Sequence, residues 1–337
     1  MKLSIIIPVY NAKPFLIKCL NSIYSQKTNF DFEVIAINDC STDNSLEILK
    51  NYAASEKRLS ILEHQVNKGQ AIARATGMNI AKGEYITHVD ADDWILKDAL
   101  NTILLRIEKY KPDVLVLNSF TQVPGKDMVE VTHFNNEGFF TKDELKNTRV
   151  QSAFYQHSGT KVVRRSLINN LLVNSYGLKT TAEDFLYCFE VFLKAKTYYF
   201  LPKSYYVAQI HQNSVTQSAN NYLKLNNQIP LLRILERLIA DYSPKKEIIL
   251  HVTTFLKKAT IYNTFLCFIE GDIVKFNKNS LLDAYRDMPF LLDKDLYILE
   301  TAFSNFISTF RIVSKDKGYL NTTLFGLKYF IKKRLKF

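Results

Sequence analysis

The sequence predicts an α/β fold with a mostly parallel sheet, helices on both faces of that sheet, and an all-α region after it. Apolar segments rich in β-branched residues alternate with segments of helical periodicity between residues 3 and 120. From residue 217 onwards only helical periodicity remains, and this part carries most of the +11 net charge. We therefore expect one domain over residues 1–216 and a helical region over residues 217–337.

The first five strands follow from short apolar runs. The run from Leu3 to Val9, for example, ends before Asn11 and is typical of a strand buried on both faces. Strands are predicted at residues 3–9, 32–37, 59–62, 83–89 and 113–120. Helices are predicted at residues 15–24, 44–54, 70–82 and 96–109, the second after the N-capping candidates Ser41, Thr42 and Asp43.

The later part of the first domain is less regular. Residues 120–137 suggest a hairpin or an irregular excursion. Glu183 and Asp184 lead into an amphipathic helix, and the aromatic segment 198–207 indicates a core strand. In the C-terminal region, helices are predicted at residues 219–241, 245–269, 278–287, 293–313 and 319–336. The last of these combines an apolar stripe with clustered lysines, which suits a helix lying on an anionic membrane surface. The alternative is that this helix packs on the rest of the chain.

Composition argues against several classes of protein. The four cysteines are scattered without a CxxC pair, which argues against a zinc site or a disulfide framework. The chain has no uninterrupted apolar run of about 18 residues, so we expect no transmembrane helix. It has no zinc-finger or RRM motif, so we expect no nucleic acid partner. These features predict a cytoplasmic protein, with peripheral attachment to the membrane through the tail.

Polar residues follow four of the predicted parallel strands. Asn11, Asp39, Asn67 and Asp92 each lie just past a strand end. Ligands bind at the carboxyl ends of the strands in such sheets, because these ends share one edge. The sequence therefore predicts that these four side chains gather at one site.

Three carboxylates end the segment GEYITHVDADDW at residues 83–94. Asp90 and Asp92 are two residues apart, so in an extended segment they point the same way. Two close carboxylates repel each other unless a cation or a proton neutralises them, and a divalent metal with a phosphorylated ligand is one solution. The alternative is the N-terminus of the next helix, which accounts for Asp93 as its cap but not for the other two acids.

Four blocks carry a resemblance to a known family. They are SIIIPVYNAKPFLIKCLNSI at residues 4–23, VIAINDCSTDNS at 34–45, NKGQAIARATGMNIAKGEYITHVDADD at 67–93 and AEDFLYC at 182–188. In order and spacing, the sequence resembles the family 2 nucleotide-sugar glycosyltransferases, which have the GT-A fold. The resemblance covers about residues 1–215.

The resemblance implies a nucleotide-sugar site. By this resemblance, Asp39 would accept a hydrogen bond from N3–H of the base, which favours uracil or thymine, and Asp90 would contact the ribose or the sugar. The further nucleotide-sugar residues that it implies, together with the strand-end residue Asn11, are Pro8, Tyr10, Asn67 and Arg74. Asp92 would hold Mn²⁺ or Mg²⁺ on the diphosphate, with His211 as a metal or phosphate ligand, and Asp184 would be the catalytic base. We expect its neighbour Glu183 to raise the pKa of Asp184 by repulsion.

Two positions depart from the family pattern. Cys40 replaces a glycine, so we expect that this turn needs no positive φ. Gln209 and His211 stand where relatives often carry arginines. Among other candidates, we expect His64, His88, His133, His157 and His251 to be structural or exposed, and Lys161, Arg164 and Arg165 to face either an anionic acceptor or solvent.

These features together predict an inverting glycosyltransferase that moves a sugar from a UDP-sugar to a hydroxyl of a growing surface glycan. Its partners would be the donor, a glycan or lipid-linked acceptor and, through the tail, an anionic membrane. A catalytically inactive sugar-nucleotide binder or membrane-surface assembly protein is the alternative. A nucleotidyltransferase would need a glycine-rich phosphate loop after the first strand, and PVYNAKPF has none.

Overall fold

The computed structural model describes residues 1–132, 134–145, 157–169, 171, 183–211, 228–244, 248–249 and 252. The chain divides into two compact units, Met1–Ser218 and Ala219–Phe337. The helices predicted beyond residue 252 and the basic tail at 319–337 lie outside the described residues, as do His133 and His251. No helix of the described part of the chain is long and apolar enough to cross a membrane.

The first unit holds ten described strands and five described α-helices. The strands are β1 Leu3–Val9, β2 Phe32–Asn38, β3 Leu59–Glu63, β4 Tyr85–His88, β5 Trp94–Ile95, β6 Val114–Gln122, β7 Val129–Val131, β8 Gly138–Thr141, β9 Lys161–Arg164 and β10 Thr197–Gln209. The helices are α1 Leu16–Tyr24, α2 Ser45–Ser55, α3 Gln70–Ile80, α4 Ala99–Tyr110 and α5 Glu183–Lys194. A sixth helix, α6, spans Gln228–Tyr242 in the second unit.

The strands form one sheet in the order β3-β2-β1-β4-β9-β6-β10-β5. The first four are parallel, β9 runs antiparallel to β4 and β6, and β10 is again parallel to β6. The α/β fold with a mainly parallel sheet is therefore confirmed. The hairpin expected at 120–137 is also present, because β7 pairs antiparallel with β6.

Helices cover both faces of the sheet, as predicted. On one face Ile5 and Ile7 of β1 share a buried core with Leu16 and Leu20 of α1. On the other face α3 lies so close that a Cβ on Gly77 would be 2.6 Å from Ile6 Cγ2. The sheet is thus buried on both sides, and its polar chemistry is confined to the ends of the strands.

Two local predictions are wrong. Asp93 is not a helix cap, because Trp94–Ile95 forms strand β5 against β10 and α4 begins only at Ala99. Cys40 has φ +60°, so this turn does adopt the left-handed conformation that we expected it not to need. The backbone of this turn therefore keeps the conformation that a glycine would adopt easily, with a cysteine in its place.

Candidate active site

The loops after β1 and β2 hold each other. Asn11, at φ +50°, accepts with Oδ1 from the backbone N–H of Thr42 at 2.8 Å, and its own N–H donates to Ser41 Oγ at 3.1 Å. The oxygen of Asn11 is thus turned towards the second loop. Pro8 lies within β1, paired with Ile37, whereas the Tyr10 side chain is half exposed beside this interlock.

Asp39 sits at the end of β2 and is almost completely buried. Its Oδ1 accepts from Lys68 N at 2.9 Å, and its Oδ2 accepts from Gly69 N at 2.8 Å. His64 Nδ1 lies 2.7 Å from Oδ1, and Asn67 Nδ2 donates to the Asp39 carbonyl at 3.4 Å. Asp39 therefore anchors the loop between β3 and α3, and the expectation that His64 is merely structural or exposed overlooked this contact.

Arg74 joins two acids that are far apart in the sequence. From α3, its Nη2 donates to Asp90 Oδ1 at 2.7 Å and its Nη1 donates to Asp184 Oδ1 at 2.5 Å. Gln70 Nε2 also donates to Asp90 Oδ1, at 2.8 Å. Burial disfavours the charge on Arg74, but Asp184, Asp90 and Glu183 outweigh it and raise its pKa. The predicted sugar ligand and the predicted base thus share one buried guanidinium.

His157 is the residue of this site that the sequence analysis missed. Its Nε2 lies 3.1 Å from Asp90 Oδ2 and 3.7 Å from Asp184 Oδ2. Burial opposes a charge on the ring, but Asp184 and Asp90 raise the pKa of His157 to about 9. The Gly159 N–H donates to His157 Nδ1 at 3.1 Å. This bond needs an Nδ1 without a proton, so it favours the neutral ring instead. A neutral hydrogen bond contributes only about 1 kcal/mol. Two nearby carboxylates outweigh it, so we assign the charged form at neutral pH.

The electrostatics of Asp184 are opposite to the prediction. Burial acts to raise its pKa, but the positive charges of Arg74 and His157 outweigh burial, and the pKa is lowered. It is the pKa of the neighbouring Glu183 that is raised, mainly by burial, to about 8. Asp184 is therefore held ionised, whereas Glu183 carries a proton at neutral pH.

Asp92 faces a different partner from Asp90. Its Oδ2 lies 3.0 Å from His211 Nε2, and the His211 ring stacks on Phe15 with centroids 4.5 Å apart. Burial and the charge of Asp90 raise the pKa of Asp92. The structure thus brings together the two residues that the sequence analysis named as metal ligands.

Asp93 links the acidic segment to β10. Its carboxylate accepts from the Tyr206 hydroxyl and, at 2.8 Å, from Gln209 N, two residues before His211. Burial and the charges of Asp90 and Asp92 raise the pKa of Asp93 to about 7. Asp90, Asp93 and His157 also offer one ligand atom each within 4.8 Å of one another, a spacing that a metal ion could use.

The three basic residues of segment 161–165 differ in their exposure to solvent. Lys161 is 1% exposed, and its Nζ donates to the His157 carbonyl at 3.2 Å and to Thr160 Oγ1 at 3.1 Å. Arg164 is partly buried and lies 3.2 Å from a Glu84 carboxylate oxygen and 3.4 Å from one of Asp113. Arg165 is exposed, although its Nε donates to the Gly83 carbonyl. The prediction of a solvated basic residue therefore fits Arg165, whereas the buried Lys161 supports the fold.

Comparisons with known proteins identify the family and the fold of this chain. The chain is similar to the glycosyltransferase GlyA of Streptococcus pneumoniae, with 31% identity over 64% of this chain, but it spans only 32% of the length of GlyA. It is 31% identical to the uncharacterized glycosyltransferase YibD of Escherichia coli, over 72% of this chain and 73% of YibD. Residues 1–349 of TarS from S. aureus, solved with UDP-GlcNAc, superpose with a TM-score of 0.66 at 24% identity, covering 94% of this chain and 91% of that one. This likeness confirms the GT-A fold. The model of glycosyl transferase family 2 matches residues 4–172. With half of its length inside this model, the chain belongs to glycosyl transferase family 2.

Proposed function

We propose that this chain transfers a sugar from a UDP-sugar to a hydroxyl of a growing surface glycan, with inversion at the sugar. The observation that carries the proposal is that Arg74 joins Asp90 and Asp184. Residues expected to bind the donor and the residue expected to activate the acceptor thus lie at one site. The crystal structures of TarS residues 1–349 in complex with UDP and with UDP-GlcNAc support this donor class.

A divalent cation fits the pair Asp92 and His211. One carboxylate oxygen and one imidazole nitrogen lie 3.0 Å apart, and both side chains are partly exposed. Oxygen and nitrogen donors of this kind suit Mn²⁺, and Mg²⁺ is the alternative. When bound, such an ion would act as a Lewis acid that neutralises the leaving diphosphate.

Asp184 is the proposed general base, and its ion pair with Arg74 sets a condition on that role. A carboxylate whose pKa is lowered by a guanidinium is a weak proton acceptor. The donor diphosphate is a competing anion for Arg74. We propose that donor binding weakens the contact between Arg74 and Asp184, so that the base gains strength only when the donor is present.

The acceptor and the place of the reaction also belong to the proposal. TarS is a poly(ribitol-phosphate) β-N-acetylglucosaminyltransferase, so a polyol phosphate polymer is a first acceptor to test. The basic tail at 319–337 would bring the enzyme to an anionic membrane that carries a lipid-linked glycan. Sedimentation with phosphatidylglycerol vesicles tests this: we expect the full chain to bind at low salt and a chain lacking residues 319–337 to stay in solution. Failure of the full chain to bind would contradict the membrane docking.

The test of the activity is UDP release. The protein is incubated with Mn²⁺, poly(ribitol phosphate) and a panel of UDP-sugars, among them UDP-GlcNAc and UDP-glucose. We expect UDP release by the wild type and by the control variant Glu47→Gln, which also replaces an acid by its amide but at an exposed position on α2. Asp184→Asn should bind UDP within a few-fold of wild type but lose about 10²-fold or more in turnover.

One outcome would contradict the transferase, and a second would contradict the role of Asp184 as base. If the protein binds UDP-sugars but releases no UDP with any of a broad panel of acceptors, it is the inactive binder. The ion pair between Asp184 and Arg74 would then explain why Asp184 does not act as a base. An Asp184→Asn variant that loses donor binding but keeps its turnover would show that Asp184 is a donor ligand.

A further inference from the structure

His64 forms the middle of a chain of side chains behind the proposed base-binding residue. His64 Nδ1 lies 2.7 Å from Asp39 Oδ1, and His64 Nε2 lies 3.0 Å from Thr76 Oγ1 on α3. The ring is buried, with 7% of its side chain exposed, against 3% for Asp39. The chain therefore runs from the end of β2, through the end of β3, to α3, and it is shielded from solvent.

The hydrogen bonds of Asp39 show what this ring does. A carboxylate has about four acceptor positions, two on each oxygen. Oδ1 accepts from Lys68 N and, because a carboxylate oxygen can only accept, His64 Nδ1 must be the donor of the second bond to Oδ1. Within the described part of the chain, Oδ2 accepts from Gly69 N alone. Three of the four positions are thus used within the protein, and the last one lies on Oδ2.

We propose that His64 is a positioning residue that sets the nucleobase specificity of this site. It occupies the second acceptor position of Oδ1, so that Asp39 offers a ligand a single acceptor in one fixed place. Such an acceptor selects a pyrimidine with an N3–H, as in uracil, over cytosine, whose N3 carries no hydrogen. The inference rests on the proposed function, in which Asp39 receives the base.

Removal of the imidazole would change two things at once. Oδ1 would regain a free acceptor position, and a buried space next to it would open to water. The carboxylate could then turn and accept a donor from more than one direction. Backbone bonds from Lys68 and Gly69 would still hold the loop, so the fold is expected to survive while selection between bases weakens.

Two amide variants separate the functions of the two ring nitrogens. His64→Asn places an N–H₂ close to the position of Nδ1 and can still donate to Asp39. His64→Gln places its amide near Nε2, so it keeps the contact with Thr76 but not the bond to Asp39. Both are polar and uncharged, which makes them a matched pair. Affinities for UDP and for CDP, with Mn²⁺ present, are measured by isothermal titration calorimetry for wild type and both variants.

We expect wild type to prefer UDP over CDP, and His64→Asn to keep most of this preference. His64→Gln should bind UDP about tenfold more weakly, the size of one hydrogen bond to a charged group, while CDP affinity changes little. If folded His64→Gln keeps the wild-type ratio of UDP affinity to CDP affinity, because neither affinity changes or both fall equally, the inference is overturned while the proposed function stands. Absence of any UDP preference in wild type would instead overturn the proposed function, and this inference with it.

Discussion

Glu183 makes the stability of the first unit depend on pH in an unusual direction. Its side chain lies in the first turn of α5, 9% exposed, and Oε2 has no hydrogen-bond partner among the described residues. Burial raises its pKa from 4.5 to about 8. Below pH 8 the folded protein therefore keeps a proton that the unfolded chain releases above pH 4.5.

The sign and size of the effect follow from this difference. Between these two pKa values the folded state binds more protons than the unfolded state, so the free energy of unfolding falls as pH rises. From pH 5 to pH 8 the loss due to Glu183 is about 3.5 kcal/mol. Glu183→Gln has the shape of the protonated acid and cannot ionise. It should leave stability nearly unchanged at pH 5 and increase it at pH 8.

The assay is thermal unfolding of wild type and variant at both pH values. One kcal/mol moves the melting temperature of a domain of this size by ~2–4 °C, so Glu183→Gln should gain about 7–14 °C over wild type at pH 8 relative to pH 5. Glu47→Gln, on the exposed face of α2, is the control and should show no such difference. Asp184→Asn should be less stable than wild type by a similar amount at both pH values, because the lowered pKa of Asp184 stabilises the folded state wherever the pH is above the ordinary aspartate value of 3.8, and this contribution is lost only below that pH. Equal melting shifts of Glu183→Gln at the two pH values would refute the reasoning.

Three further substitutions test the site. Arg74→Lys should lower the free energy of unfolding by about 3 kcal/mol or more in urea titrations, because one ammonium cannot bridge Asp90 and Asp184 and leaves buried charge unpaired; a loss below 1 kcal/mol would show that the bridge contributes little. Asp92→Asn should weaken Mn²⁺ binding in the presence of UDP by tenfold or more in titration calorimetry, about the size of one charged ligand contact, and unchanged Mn²⁺ affinity would place the cation elsewhere. Gly159→Ala should cost about 1–3 kcal/mol, since its Cβ would lie 2.3 Å from a ring carbon of the buried Tyr206; wild-type stability would mean that the ring moves freely.

The sequence predicts the part of the site that lies at the ends of parallel strands. Asp39 and Asp90 follow β2 and β4 in the sheet, and this topology alone places them at one edge. His157 could not be found in this way. It lies just before β9, the strand that runs antiparallel between β4 and β6, and nothing in the local pattern of residues 157–164 specifies that insertion.

Cys40 shows how a single substitution can mislead. The cysteine predicts a turn that needs no positive φ, since the left-handed conformation costs a non-glycine residue roughly 1–2 kcal/mol. The neighbours hold the turn regardless: Asp39 N donates to the Val9 carbonyl at 2.8 Å, and Ser41 N donates to Asn38 Oδ1 at 3.3 Å. Tertiary bonds of this kind outweigh a local preference, and one sequence does not reveal them.

The direction of the pKa shift of Asp184 was beyond sequence reasoning for a related reason. The adjacent Glu183 is visible in the sequence, whereas Arg74, whose positive charge lowers the pKa of Asp184, is 110 residues away. In the folded site the protonated Glu183 adds no charge, and Asp90 and Asp184 face Arg74 and the His157 ring. Opposite charges are thus balanced before any ligand binds. A diphosphate would add negative charge to a site in which Arg74 already pairs with Asp90 and Asp184, and this is the physical reason to expect that a UDP-sugar binds together with a divalent cation held by Asp92 and His211.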